Sequence, residues 1–377
     1  MNVPFRVPNR IAAVVLTVVA LIVIGLPLSP STRVTKAAAK EFFRQTNLVS
    51  DQPGVALITD PNLVNPWGIS MSATSPFWVA NNGTGTSTLY AGDVNGSPFV
   101  KNSLVVSIPG GYPTGTVFNT TPDFAVSAGG ATARSLFIFA SQVGIVSGWN
   151  AGVPPPPTST HAQIGGTSNA VYTGLAIGQV VTTQGTFNNL YAADFEHGQI
   201  DVYDKTFHIV DSLDGTFSDP NIPNSYSAFN IQNLGGKLYV TYAQQSHKEP
   251  SDETDHGSGF VDVFDTSGHL LQRLILGNHL NAPWGIALAP ANFGSFSGAL
   301  IVGNFGNGHI QAFDPADGRF LGQLKDEDGK PITIDGLWGI TFGNGGNGGD
   351  RNALYFAAGP DGETHGLFGS LRVAQQR

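Results

Sequence analysis

The amino-acid sequence predicts an all-β chain, a six-bladed β-propeller with four-stranded antiparallel blades whose ring is closed by an N-terminal strand. Three observations carry this expectation. A Trp-Gly-Ile element returns at Trp67-Gly68-Ile69, Trp284-Gly285-Ile286 and Trp338-Gly339-Ile340, the last two about 54 residues apart, and self-similarity at such a period marks a propeller or an array. Each return precedes a short apolar run and then a hairpin. The composition agrees: 377 residues hold 48 Gly and 24 Pro with only 12% charged side chains, which suits short strands joined by tight turns.

Aligned on the Trp-Gly position, three further units begin at Phe124-Ala125-Val126, Thr173-Gly174-Leu175 and Phe229-Asn230-Ile231. Glycine at this position has a plain reason, because inner strands crowd at the hub of a propeller. Second runs such as Phe77-Trp78-Val79-Ala80 and Leu354-Tyr355-Phe356 read as strands buried on both faces. The third runs, 198–204, 259–265 and 308–314, alternate apolar with polar and close on Asp204, Asp265 and Asp314. They predict strands with one packed and one polar face, each ending in an Asp-led turn. Weaker fourth strands follow at His208-Ile209-Val210, 270–274 and 320–324. The sixth unit ends on a third strand at 366–373. Thr46-Asn47-Leu48-Val49-Ser50 is expected to supply its missing partner and so cover the open sheet edge.

Residues 1–39 stand apart as a signal peptide or membrane anchor, with 40–377 as a single propeller domain. Arg6 and Arg10 precede an apolar run over residues 11–28, the layout of a secretory signal, and the run also approaches a bilayer-spanning length. Export to the cell envelope or the exterior is the expectation, with membrane contact only through this segment if it stays uncleaved. The chain has no Cys, which removes disulfides, thiol catalysis and Cys-ligated zinc. Taking the four basic residues of 1–39 from the 18 Lys and Arg leaves 14 against 27 Asp and Glu, a net charge of −13 for the body. Such a balance argues against nucleic acid as a partner.

The loops entering the first strands and the turns between second and third strands open on one face of a propeller. On that face the sequence places the candidate binding residues Asn65, Asn82, Asp123, Asp194, Glu196, Asn304 and Asp335. Of these, Asp123, Asp194, Glu196, Asn304 and Asp335 supply oxygens suited to Ca²⁺ or another divalent cation. The bland reading is that Asn and Asp collect in turns because they cap local backbone groups. His197 stands as a general-base candidate or a turn histidine. The acidic, His-containing segment 246–257 reads as a solvated charged loop, and the glycine-rich 343–349 as a flexible hairpin loop. No Gly-x-Ser-x-Gly elbow, His-Glu-x-x-His helix, phosphate loop or dinucleotide fingerprint is present.

The motifs Asn65-Pro66-Trp67-Gly68, Phe77 to Asn82, Pro113 to Asn119, Asn281 to Gly285 and Ile334 to Gly339 carry a resemblance from about Asn47 to Val373. With them, the chain resembles an uncharacterised family of exported bacterial β-propeller proteins, some with a PEP-CTERM sorting tail. It departs from that family at two places. No hydrophobic tail follows Val373, and Gln142-Val143-Gly144 stands where the resemblance implies an acidic Glu-Asp-Gly turn, which weakens a metal at that turn. More distantly the pattern is similar to NHL-repeat and gluconolactonase-type propellers. That likeness implies a mouth-bound cation supporting lactone hydrolysis, by fold analogy only. The expected function is therefore a non-enzymatic exported module that binds a protein, peptide or carbohydrate through the mouth. The alternative is a divalent-metal-dependent hydrolase or lactonase.

Overall fold

The computed structural model describes residues 41–154, 161–211, 213–245, 259–277 and 279–375. The 1–39 segment, with its anchor reading, and the acidic insertion at 246–257 lie outside the described residues. Among the described residues no helix is long and apolar enough to cross a membrane.

Six antiparallel sheets follow one another along the chain. Their first strands are Pro66–Ser70, Pro113–Phe118, Tyr172–Thr182, Tyr226–Leu234, Pro283–Leu288 and Leu337–Phe342. Each lies against the next and the last returns to the first, so the six line a central axis as blades of a propeller. The hub glycines are there because the strands touch. A Cβ on Gly339 would sit 2.4 Å from the Trp67 carbonyl oxygen, and one on Gly285 2.6 Å from that of Trp338. Blade 4 has Asn230 instead, and its amide donates to the Trp284 carbonyl at 2.8 Å.

All six first strands are also bulged at this point. Their ladder registers jump between Pro66 and Ile69, Tyr172 and Gly174, Ala228 and Asn230, Pro283 and Gly285, and Leu337 and Ile340. In blade 2 the jump lies between Pro113 and Thr116. A bulge sets extra residues outside the ladder and re-aims their side chains.

Closure follows the sequence expectation and extends it. Glu41–Ser50 pairs antiparallel with Leu367–Gln375, from Glu41 opposite Gln375 to Ser50 opposite Leu367. The second strands Phe77–Asn81, Phe137–Ser141, Leu300–Asn304 and Leu354–Ala358 are buried throughout. Neighbouring blades meet through rings such as Phe77, which lies 4.6 Å from Tyr355 and 5.3 Å from Phe368 by centroid. Each such ring stabilises the stack by about 1.5–3 kcal/mol.

Four expectations are corrected. Blade 2 does not begin at 124–126. Its first strand is built around Gly115, whereas Ala125–Ala128 and Ala131–Arg134 form an added hairpin. The apolar tripeptide matched the hydrophobicity of a first strand but not its Pro-x-Gly bulge. Blade 3 has three strands, its expected fourth reduced to a single bridge between Tyr203 and Ile209.

The third strands of blades 4 and 5 present no free polar face, because neighbouring blades cover them, whereas in blade 3 Gln199 is exposed and Asp201 half-buried, as the alternation implies. Asp262 is 0% and Gln311 5% exposed. Finally, the 343–349 loop is tied down: Asn344 Nδ2 donates to the Ser72 and Ser75 carbonyls, both at 2.8 Å, while its Oδ1 accepts from Gly346 and Gly348. The Asp-led turns hold as read, with Asp204 and Asp265 each accepting two backbone N–H groups.

Candidate functional site

One end of the axis gathers the entering loops and the turns between second and third strands, as the register pairs Pro66 with Asn81, Tyr172 with Asp194, Tyr226 with Gln244 and Pro283 with Asn304. At this mouth the bulged aromatic residues meet. Trp67 and Trp338 stack with centroids 3.5 Å apart, and Phe305 stacks on Trp338 at 4.0 Å. Trp284 meets both tryptophans edge-on, at 6.2 and 5.8 Å. Phe229 lies 5.7 Å from Trp338, and Phe195 lies 5.1 Å from Phe229.

Two of the indoles are anchored, Trp338 Nε1 donating to Asn65 Oδ1 at 3.1 Å and Trp284 Nε1 to the Thr173 carbonyl at 3.0 Å. Trp67 Nε1 is buried without a hydrogen-bond partner among the described residues, which leaves a costly unmet donor. Inward of this cluster the axis narrows to a space of about 20 Å³ lined by Gly68, Gly115, Gly285 and Gly339. Outward of it lies a cavity of about 360 Å³. Trp67, Phe195, Phe229, Phe305 and Trp338 give that cavity its aromatic lining, and Gln142, Glu196, Gln244, Gln245 and Glu363 its polar groups.

The polar groups are held in place by hydrogen bonds. Gln142 Oε1 accepts from Asn82 Nδ2 at 2.8 Å, and Asn65 Nδ2 donates to Glu363 Oε2 at 2.9 Å. Gln245 Nε2 donates to the carbonyls of Phe195 and Glu196 at 2.9 and 2.8 Å, latching that turn across blades. Glu363 closes a turn, Pro360–Glu363, in which Asp361, Gly362 and Glu363 have φ of 56°, 62° and 67°. For the two non-glycine residues the left-handed region costs of the order of 1 kcal/mol each, and such strain concentrates at functional sites.

Of the residues expected at the mouth, Asn65, Asn82 and Glu196 are brought to it as read. Asp194 sits beneath it, fully buried, accepting from the Val171 and His197 N–H groups at 3.1 and 3.3 Å, with His197 Nδ1 at 2.6 Å from its Oδ2. That hydrogen bond raises the imidazole above its ordinary value. Asn304 is buried too, its Nδ2 donating to the His279 carbonyl at 3.0 Å while Oδ1 has no partner among the described residues. Asp335 is exposed and accepts from Asp361 N–H at 2.8 Å.

Asp123 is elsewhere. It follows the far end of the first strand of blade 2, where its Oδ2 accepts from Asn188 Nδ2 at 2.7 Å, because that blade starts earlier than its hydrophobic pattern implies. The five candidate cation ligands thus do not form one set. Among the described residues no three His, Asp or Glu side chains gather as a metal site. Sequence reasoning treated the tryptophans as marks of the fold and missed them as the lining of the cavity. The signal was their position beside the hub glycine, where a bulge turns them to the mouth.

No family profile matches the chain. It is 36% identical over 332 residues to "Uncharacterized protein R648" of Acanthamoeba polyphaga mimivirus, spanning 86% of this chain and 78% of that protein. It is 34% identical over 333 residues to "Uncharacterized protein L690" of the same virus, spanning 86% and 84%. These relatives are viral rather than bacterial. Among solved structures, a structural-genomics protein of unknown function from Bacteroides thetaiotaomicron aligns with a TM-score of 0.50 at 11% identity, over 89% of this chain and 77% of that one. That likeness carries the fold alone. By its identity and coverage the chain belongs to the same protein family as R648 and L690 of the mimivirus.

Proposed function

We propose that the protein is a binding module that receives a small organic ligand, or one residue of a peptide or glycan chain, in the mouth of the propeller. One observation supports this above the others: an aromatic surface and a set of positioned carboxamides and carboxylates share a cavity of about 360 Å³. Cavities of this size that combine apolar walls with a few fixed polar groups are the usual form of a small-molecule site. Groups already held by hydrogen bonds, as Gln142 and Glu363 are, lose little freedom when a ligand arrives.

The competing reading, a divalent-cation hydrolase, needs a metal with an open coordination position beside a carboxylate. Asp123 is remote from the other four candidates, and Asp194 is engaged by His197 and two backbone N–H groups, so the binding reading has the better support. Export remains part of the proposal, resting on residues 1–39, and fractionation of cells producing the full chain tests it.

The binding test is calorimetry with tryptophan fluorescence, run against panels of saccharides, short peptides and small organic ions. Saturable binding that shifts the emission and is lost in Phe305→Ala, with cooperative unfolding kept, is the expected outcome. Binding that ignores Phe305→Ala, or none across the panels, rejects the mouth as the site. Titration of chelator-treated protein with Ca²⁺, Mg²⁺, Mn²⁺ and Zn²⁺ runs in parallel, and micromolar binding that raises the melting temperature reverses the preference between the two readings.

A further inference from the structure

The charge of the mouth goes with its aromatic surface. Among the described residues that line the cavity, Glu196 and Glu363 are the charged ones, and no Lys, Arg or His joins them. His197, next in the chain, is held by Asp194 outside the lining. The rings are accessible from the cavity side: Trp67 and Trp338 are buried within the cluster, but Phe195 and Phe305 are only half-buried.

A carboxylate beside aromatic rings has two consequences. An anionic ligand is repelled. A metal ion meets no gathered set of three His, Asp or Glu ligands there among the described residues. An organic cation, by contrast, meets both the negative ring faces and a carboxylate, and cation–π attraction grows as the site excludes water. The strained turn at Asp361 to Glu363 fits the same account, since it spends backbone energy to set one carboxylate at the cavity and Asn65 Nδ2 fixes it there. The acidic body, net −13 over residues 40–377, draws cations toward the surface at long range.

We infer that the ligand of the mouth is an organic cation of the alkylammonium class, its positive head packed on the Phe195 and Phe305 rings with Glu363 and Glu196 as counter-charges. This rests on the proposed binding reading and specifies the ligand class. The remaining polar groups, Gln142, Gln244 and Gln245, supply amide oxygens and N–H groups for the rest of the molecule.

The test compares choline and a series of methylated butylamines with 3,3-dimethylbutan-1-ol, the uncharged isostere of choline, and with cellobiose, by calorimetry on the protein lacking residues 1–39 and on the full chain. At least one alkylammonium ion is expected to bind about tenfold or more tightly than the isostere, and less tightly as salt rises. Glu363→Gln and, separately, the exposed Glu196→Gln are each expected to lower that affinity about tenfold at an unchanged melting temperature. The second variant keeps the test decisive if the first disturbs the strained turn. If cellobiose or the isostere binds as well as the cations, and Phe305→Ala abolishes that binding, the mouth is a ligand site but the cation inference is overturned. If the full panel of Proposed function binds nowhere, both fall together.

Discussion

The two ends of the axis are built from the same six strands and end in different chemistry. At the mouth, bulged residues turn three indoles inward, and carboxylates stand at the cavity that two of them, Trp67 and Trp338, line. At the opposite end a wider opening of about 500 Å³ is lined by hydroxyl and carboxamide residues such as Ser70, Thr116, Thr120, Gln232, Asn233 and Thr341, with aliphatic neighbours and the rings of Phe118 and Phe342 but, among the described residues, no indole. Ser70 Oγ and Thr116 Oγ1 lie 3.0 Å apart there, and no charged residue is among the described residues that line it. Beyond the bulge the strands resume a regular ladder. The difference teaches that the bulge, rather than the blade, is what makes one end of this propeller chemically distinctive.

The comparison breaks most readily at Trp338, which is sandwiched between Trp67 and Phe305. Trp338→Ala is expected to destabilise the fold by about 3–5 kcal/mol, read by denaturant unfolding. A loss below about 1 kcal/mol would mean that the aromatic cluster serves the cavity and not the stability of the ring.

Midway between the ends, on the third strand of blade 4, Asp262 offers a probe of the blade body. It is fully buried with no hydrogen-bond partner for either oxygen among the described residues. Burial, reinforced by Asp219, raises its carboxyl from 3.8 to about 7. Between those values the folded chain keeps a proton that the unfolded chain has released, so stability falls as pH rises through the window and stays reduced above it. Asp262→Asn should remove that decline and stabilise the protein at pH 8 by about 4 kcal/mol at most. Melting curves from pH 4 to 8 that run parallel for both proteins contradict the assignment.

Gly339→Ala comes next, with a clash against the Trp67 carbonyl expected to cost about 2 kcal/mol and to perturb tryptophan emission. The smallest effect belongs to the far end: Ser70→Ala should cost no more than about 1 kcal/mol and leave binding at the mouth unchanged. A change in ligand affinity from that substitution would show that the two ends are coupled.

What the sequence disclosed follows from what hydrophobicity can encode. Blade number, the doubly buried second strands and the closing strand are all patterns of apolar residues, and each is found in the structure. The first strand of blade 2 escaped because Thr114-Gly115-Thr116 carries the bulge with no large apolar residue, while Phe124-Ala125-Val126 carries the hydrophobicity with no bulge. Alternation in the third strands predicts one packed and one polar face, and in blades 4 and 5 a neighbouring blade covers the polar one as well, burying Asp262 and Gln311.

One short motif recurs in two blades with the same role. Asp60-Pro61-Asn62 and Asp219-Pro220-Asn221 build matching loops in blades 1 and 4, where each Asp accepts from the Asn N–H, at 3.0 and 2.9 Å. Each buried carboxylate is also gripped by a cation on the outermost strand, Lys101 at 2.7 Å in one case and Arg273 in the other. Burial alone would raise these two carboxyls, but the cations and the Asn contacts hold both below the ordinary value.

The last blade draws its strands from segments before the first blade and after the fifth, Glu41–Ser50 beside Leu367–Gln375. During synthesis the earlier blades can form in order as they emerge, but the ring cannot shut until the C-terminal strand is released. A polypeptide cut short by even its final strand would leave blade 6 without the partner of its N-terminal segment, and two unpaired edges for other chains to capture. Ring closure therefore makes two segments more than 300 residues apart answerable to each other: a change that loosens Leu367–Gln375 frees the edge of Glu41–Ser50 as well, whatever the state of the mouth.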